Sequence, residues 1–159
     1  MNLSNVVWQV NSHSIAETWL IAAKLAQYLR AGDVIGLDGE LGSGKTHFVQ
    51  GVLGALGVDP ANVTSPTFTL IQEYDTNPPV CHLDAYRLRD IDEFLELGVD
   101  ELLGGDVVCL IEWASRVREV LPQDMLQLDL NAVGPEVRTL TFSATGRRSV
   151  ELLQSIQAE

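Results

Sequence analysis

Eight consecutive residues, Gly39-Glu40-Leu41-Gly42-Ser43-Gly44-Lys45-Thr46, have the types and spacing needed to hold a polyphosphate. Glycines at positions 39, 42 and 44 admit backbone angles that turn successive N–H groups inward. The apolar stretch after Thr46 predicts a helix whose positive end points at the same place. Lys45 supplies a point charge for the β- and γ-phosphates of a nucleoside triphosphate, and the Thr46 hydroxyl a ligand for the Mg²⁺ that bridges them. The pattern is a phosphate-binding P-loop, and Lys24, the other lysine of the chain, is remote from it.

Acidic groups follow. Glu112 closes the apolar run Val107–Ile111, which reads as a central parallel strand, so its carboxylate is expected at the carboxyl edge of a sheet. That is the place of a Walker B acid, holding Mg²⁺ through water or orienting an attacking water; an acid that merely ends a strand is the alternative. His82, Asp84 and Tyr86 share one strand face, which can aim one carboxylate at the γ-phosphate region. By themselves Asp84 also reads as an ordinary strand-end acid and His82 as a hydrogen-bonded structural histidine. Thr64-Ser65-Pro66-Thr67 lies after the P-loop helix, where nucleotide switches meet a γ-phosphate. Arg87, Arg89, Arg116, Arg118, Arg138, Arg147 and Arg148 are candidate transition-state cations among which spacing does not choose.

The elements that must position these groups are legible from periodicity. Ser14-Ile-Ala-Glu17 has capping-box form and opens a helix with apolar Trp19, Leu20, Ala23, Leu25, Ala26 and Leu29, ending by Gly32. Val34–Asp38 reads as a buried strand, then the glycine-rich turn, then a helix over Lys45–Leu56 stopped by Gly57. Phe68–Tyr74 and Val80–Tyr86 read as a hairpin about Asp75-Thr-Asn-Pro-Pro79. A short helix is expected over Asp90–Leu97 and another over Trp113–Leu121, strands over Met125–Ala132 and Val137–Ala144, and a last helix from Ser149. The expected fold class is α/β, a single P-loop NTPase domain over residues 1–159 with a mixed, mainly parallel central sheet flanked by helices.

Composition narrows the partners. A net charge of −12 argues against independent binding to DNA or RNA, whose affinity comes from clustered Lys and Arg, so any nucleic-acid substrate would be held chiefly by a partner; that the acidity merely keeps the protein soluble is the alternative. Cys81 and Cys109 each lie inside a strand-like run and read as reduced core thiols, and adjacent Cys81 and His82 point to opposite faces, which argues against a shared zinc. The amino terminus lacks a basic region and no apolar stretch approaches a membrane span, so a cytoplasmic protein is expected.

Leu37–Thr46, Val63-Thr-Ser-Pro-Thr-Phe-Thr-Leu70, His82-Leu-Asp-Ala-Tyr-Arg-Leu88, Glu93-Phe-Leu-Glu-Leu-Gly98, Ile111-Glu-Trp113 and Leu121-Pro122 together resemble the TsaE (YjeE) family. The resemblance spans Gly39 to Pro122 in order and is far more specific than the P-loop alone. It implies a bacterial ATPase, using ATP and Mg²⁺, needed for threonylcarbamoyladenosine formation at position 37 of tRNAs that read ANN codons. Such proteins work with TsaD and TsaB and do not make the modification themselves. The resemblance further implies that Gly39, Leu41, Gly42, Ser43, Gly44 and Lys45 enclose the phosphates, Thr46 and Glu112 hold Mg²⁺, and Asp84, Glu112 and Lys45 serve hydrolysis. Ser65 to Thr67 would act as a switch-like loop, with Trp113 beside the nucleotide. Many relatives carry a second threonine where this chain has His47, so only a backbone contact carries over there. Arg138 is a nucleotide contact by placement alone.

Two other readings share the phosphate chemistry. A small-molecule kinase would need an acceptor pocket or an arginine-rich lid, and none stands out. A nucleotide-responsive binding module with negligible catalysis suits the acidic surface and the switch-like loop. Guanine specificity is disfavoured, since there is no Asn-Lys-x-Asp sequence.

Overall fold

The computed structural model describes residues 6–66 and 70–158. Its elements in chain order are β1 (Val6–Ser12), α1 (Ile15–Ala26), β2 (Val34–Asp38), α2 (Lys45–Ala55), β3 (Ile71–Tyr74), β4 (Val80–Asp84), α3 (Ile91–Glu96) and α4 (Val99–Leu102). There follow β5 (Val108–Glu112), a 3-10 segment (Ala114–Val120), β6 (Leu126–Ala132), β7 (Arg138–Ala144) and α5 (Arg147–Gln157). The strands form a seven-stranded sheet in the order β1-β7-β6-β2-β5-β4-β3. Its centre, β6-β2-β5-β4, is parallel, whereas β7 and β1 on one side and β3 on the other run antiparallel to their neighbours.

Alternation along the strands divides the core between two faces. Ile35 and Leu37 of β2 and Val108 and Leu110 of β5 pack with Phe48, Val49, Val52 and Leu53 of α2 and with residues of α1 and α5. Cys81, Leu83, Cys109 and Ile111 turn the other way, onto Phe94, Val99 and Val117. Both cysteines are free and buried, and burial pushes their thiols up to about 11 for Cys81 and about 12 for Cys109.

Helix α1 starts as its sequence predicts, with the Ser14 hydroxyl accepting from the Glu17 N–H at 3.0 Å. The Glu17 carboxylate reaches one residue further back than a capping box requires, to the His13 N–H at 2.6 Å. The buried stripe of α1 is Thr18, Ala22, Leu25 and Ala26. Leu20 is 66% exposed, so the apolar residues named from periodicity are only partly the core face.

The close approach of α1 to α2 rests on Gly51, where a Cβ would lie 2.7 Å from Ala22 Cβ and 2.8 Å from the Trp19 Cα. Gly51→Ala should therefore destabilise by about 1–3 kcal/mol through overpacking. Gly54→Ala, whose Cβ would meet nothing nearer than Pro60 Cγ at 3.6 Å, should be neutral or gain up to about 1 kcal/mol of helix propensity. Urea midpoints of the two variants separate these outcomes, and equal shifts would contradict the packing argument.

Several elements differ from expectation. Strand β1 was not expected, although Val6, Trp8 and Val10 alternate with more exposed Val7, Gln9 and Asn11; pairing with β7 and stacking of Trp8 on Phe142 at 5.6 Å stabilise it. The short α4 was likewise not expected. The segment after Glu112 is not an α-helix but a 3-10 segment kinked at Val117, because Asp38 Oδ1 holds the Ser115 N–H at 3.1 Å and its hydroxyl at 2.8 Å against the end of β2. Helix α5 begins at Arg147, two residues before Ser149, where Asp124 accepts the Arg148 and Ser149 N–H groups, both at 2.9 Å. The hairpin strands are shorter than expected, Ile71–Tyr74 and Val80–Asp84, and Phe68 and Thr69 lie outside the described residues.

Candidate functional site

Strand β2 ends at Asp38 and the chain turns through Gly39 at φ 154°, Gly42 at 81° and Gly44 at 106° before entering α2. These angles suit glycine, and a Cβ at Gly39 would also meet Leu130 O and Ser43 Oγ, both at 2.5 Å. No side chain caps α2, whose N-terminus opens toward the loop. Arg138 secures the loop from outside: its Nε donates to Ser43 O at 3.0 Å and Nη2 to Gly42 O at 3.2 Å, while Nη1 donates to Gly134 O and Val137 O, both at 3.1 Å. Its role in this structure is to fasten loop carbonyls to the β6–β7 connection, which placement in sequence alone could not reveal.

Lys45 is 5% exposed. Its ammonium donates to Gly39 O at 2.5 Å and Glu40 O at 3.1 Å and stands 4.4 Å above the Trp113 ring. Burial lowers its pKa, and the charges of Glu112, Asp84, Asp38 and Glu40 act in the opposite sense. The ammonium thus occupies main-chain acceptors within a ring of carboxylates.

Strands β4 and β5 set Asp84 and Glu112 directly opposite each other in parallel register. Glu112 is buried; its Oε2 lies 2.6 Å from His82 Nε2, and the Thr46 hydroxyl is 3.4 Å from each of its carboxylate oxygens. Asp84 Oδ1 accepts from the Tyr86 N–H and Oδ2 from the Ser65 hydroxyl, both at 2.9 Å. The loop after α2 is thereby tied to β4. Trp113 adopts left-handed backbone angles, φ 58° and ψ 40°, a conformation that costs a side-chain-bearing residue roughly 1–3 kcal/mol. Its N–H donates to Leu37 O at 2.8 Å, and its ring meets Tyr86 at 4.8 Å.

These groups surround a cavity of about 520 Å³. Of the residues singled out from sequence, Leu41, Gly42, Gly44, Lys45, Thr46, His47, Ser65, Asp84, Tyr86, Arg87, Glu112 and Trp113 line it, so Arg87 is the candidate cation that the fold brings to the cavity wall. Ser43 is buried beneath the loop, and its hydroxyl has no hydrogen-bond partner among the described residues. Gly39 turns toward a separate groove near Asp38 and Asp129. Arg138 borders a second cavity of about 560 Å³ that shares Gly44 and His47 with the first, so His47 separates the two. Thr67 lies outside the described residues. Sequence reasoning missed the His82–Glu112 contact; the signal available was the position of His82 two residues before Asp84 on one strand face.

The donor set fits a magnesium nucleotide. Thr46 and Glu112 offer the hard oxygen donors that Mg²⁺ prefers, beside a loop whose N–H groups and Lys45 suit phosphate oxygens. Among the described residues no helix is long and apolar enough to cross a membrane.

Comparison with known proteins adds independent findings. Residues 12–140 match the family model described as threonylcarbamoyl adenosine biosynthesis protein TsaE. The chain is 43% identical to the tRNA threonylcarbamoyladenosine biosynthesis protein TsaE of Bacillus subtilis, across 88% of this chain and 87% of that protein. It is 42% identical to the protein of the same name from Streptomyces coelicolor, across 80% of this chain and 90% of the relative. The crystal structure of Bacillus subtilis YdiB superposes with a TM-score of 0.83 at 36% identity, covering 98% of this chain and 97% of that one.

Proposed function

The chain belongs to the TsaE family, and from that membership we propose that it is a Mg²⁺-dependent ATPase serving threonylcarbamoyladenosine formation in tRNA, with TsaD- and TsaB-type proteins as partners. The observation that carries the ATPase reading is the convergence of the loop, Lys45, Thr46, Asp84 and Glu112 on one cavity. A net charge of −12 supports contact with tRNA through partners rather than directly.

In this reading the loop N–H groups and Lys45 bind the β- and γ-phosphates, and Thr46 and Glu112 hold Mg²⁺. Bound Mg²⁺ supplies positive charge that offsets charge on the phosphate oxygens. Glu112 and Asp84 orient the attacking water. As the oxygen of that water bonds to the γ-phosphorus, the bond to the β,γ-bridging oxygen breaks, giving ADP, inorganic phosphate and a proton that leaves to solvent through the carboxylates. Trp113 and Tyr86 cover one side of the cavity and limit the entry of bulk water.

The direct test measures phosphate release from ATP and GTP, with and without Mg²⁺, by the full chain alone and with TsaD and TsaB. Mg²⁺-dependent release from ATP, rising with the partners, is expected. Absence of release under every condition overturns the ATPase reading, and transfer of the γ-phosphate to a small molecule makes the protein a kinase.

A further inference from the structure

His82 is a histidine in an apolar setting. It is 0% exposed, faces the same side of β4 as Val80, and stands beside Leu110 in the register with β5. Its Nε2 lies 2.6 Å from Glu112 Oε2, while Nδ1 has no hydrogen-bond partner among the described residues. Most buried polar side-chain atoms have a hydrogen-bond partner, because an unpaired one costs stability. Among the described residues, the hydrogen bonding of the ring is directed to one carboxylate oxygen. With Nδ1 unpaired, the arrangement that satisfies the contact carries the hydrogen on Nε2 and donates it to Oε2.

The other neighbours of Glu112 do not hold it as firmly. Thr46 Oγ1 is 3.4 Å from each carboxylate oxygen, at the outer limit for a hydrogen bond, and the Lys45 ammonium is engaged with Gly39 O and Glu40 O. Without the His82 bond, the Thr46 contacts at 3.4 Å are the hydrogen bonds left to fix the rotation of the Glu112 carboxylate among the described residues.

We propose that His82 is a positioning residue for Glu112: its Nε2–H bond to Oε2 sets the carboxylate plane so that the remaining oxygen lone pairs address the water and metal side of the cavity. This rests on the reading of Glu112 given above. Second-layer partners that fix a carboxylate or ligand commonly change activity 10- to 100-fold when removed. His82 is fully buried and does not line the cavity, so its effect passes through Glu112.

The test uses the full chain and two kinds of measurement. In phosphate release with Mg²⁺ and ATP, His82→Leu should lower kcat about 10- to 100-fold with KM for ATP within about 3-fold of wild type. His82→Gln, whose amide N–H can take the place of Nε2–H, should recover most of that loss, and His82→Leu placed in a Glu112→Gln background should add little further. Equal loss with Leu and Gln, or full additivity with Glu112→Gln, overturns the proposal. The second measurement needs no turnover: in ¹⁵N-imidazole NMR of wild type, His82 should show a hydrogen on Nε2 whose signal moves on Glu112→Gln. A signal indifferent to Glu112→Gln, or a hydrogen on Nδ1 alone, also overturns it. Absence of turnover in wild type defeats the ATPase reading while the spectrum still decides the positioning role. Should His82→Leu fail to fold, His82→Phe and the spectrum provide the same decision.

Discussion

Lys45→Ala lowers phosphate release from ATP by at least about 100-fold while the protein stays folded. The ammonium lies in the cavity with Asp84 and Glu112, at the start of α2, so its charge is where the negative charge of a γ-phosphate would accumulate. Removing one such stabilising group costs on the order of 10²–10³ in rate. The fold should survive because the bonds lost are to Gly39 O and Glu40 O, main-chain acceptors of a turn beside an open groove, where water can replace the ammonium. Lys45→Arg should not restore activity. At 5% exposure there is little room for a planar guanidinium, which presents a fork where the loop receives a point charge. Steady-state phosphate release, with the thermal midpoint as a control for folding, checks both variants. Turnover of Lys45→Ala within a few-fold of wild type would show that the loop does not hold the reacting phosphate.

Glu112→Gln separates binding from hydrolysis. The amide has the shape of the carboxylate and still accepts from His82 through its carbonyl oxygen, so the β5 edge keeps its packing. It lacks the negative charge that, in the proposed reading, holds Mg²⁺ and orients the attacking water. A loss of about 10²–10³ in kcat is expected, in the range of general-base removal, with nucleotide binding retained. Binding is read by thermal shift: nucleotide at a hundred times its dissociation constant stabilises by about 2.7 kcal/mol, or roughly 5–10 °C in a domain of this size. Wild type and Glu112→Gln should both show such a shift with ATP and Mg²⁺. A variant that hydrolyses normally removes Glu112 from the mechanism, and one that no longer binds nucleotide makes it a ligand-binding group instead.

The two expected losses differ in kind because the residues come from different parts of the fold. Lys45 is placed by local geometry, the turn from β2 into α2. Glu112 is placed by sheet pairing, with β5 between β2 and β4 in the order β1-β7-β6-β2-β5-β4-β3. Asp84 and Glu112 are 28 residues apart in sequence yet stand opposite each other because β4 and β5 pair in parallel with Val80 against Val108.

What the amino-acid sequence determined by itself was everything governed by short-range rules. The glycine spacing of the loop, the Ser14 cap, the hairpin between β3 and β4, and the apolar run ending in Glu112 follow from backbone freedom, capping and periodicity within a few residues. Strand β1 is not legible from its own residues because its stability comes from β7, where Val6 lies opposite Ala144, 138 residues away in sequence. The segment after Trp113 escaped because a hydrogen bond from Ser115 to Asp38 overrode its helical pattern. For the same reason only tertiary structure decided that Arg138 fastens loop carbonyls, that Ser65 binds Asp84, and that His82 meets Glu112 at 2.6 Å. Each contact joins residues brought together by strand order and register, which no local preference encodes.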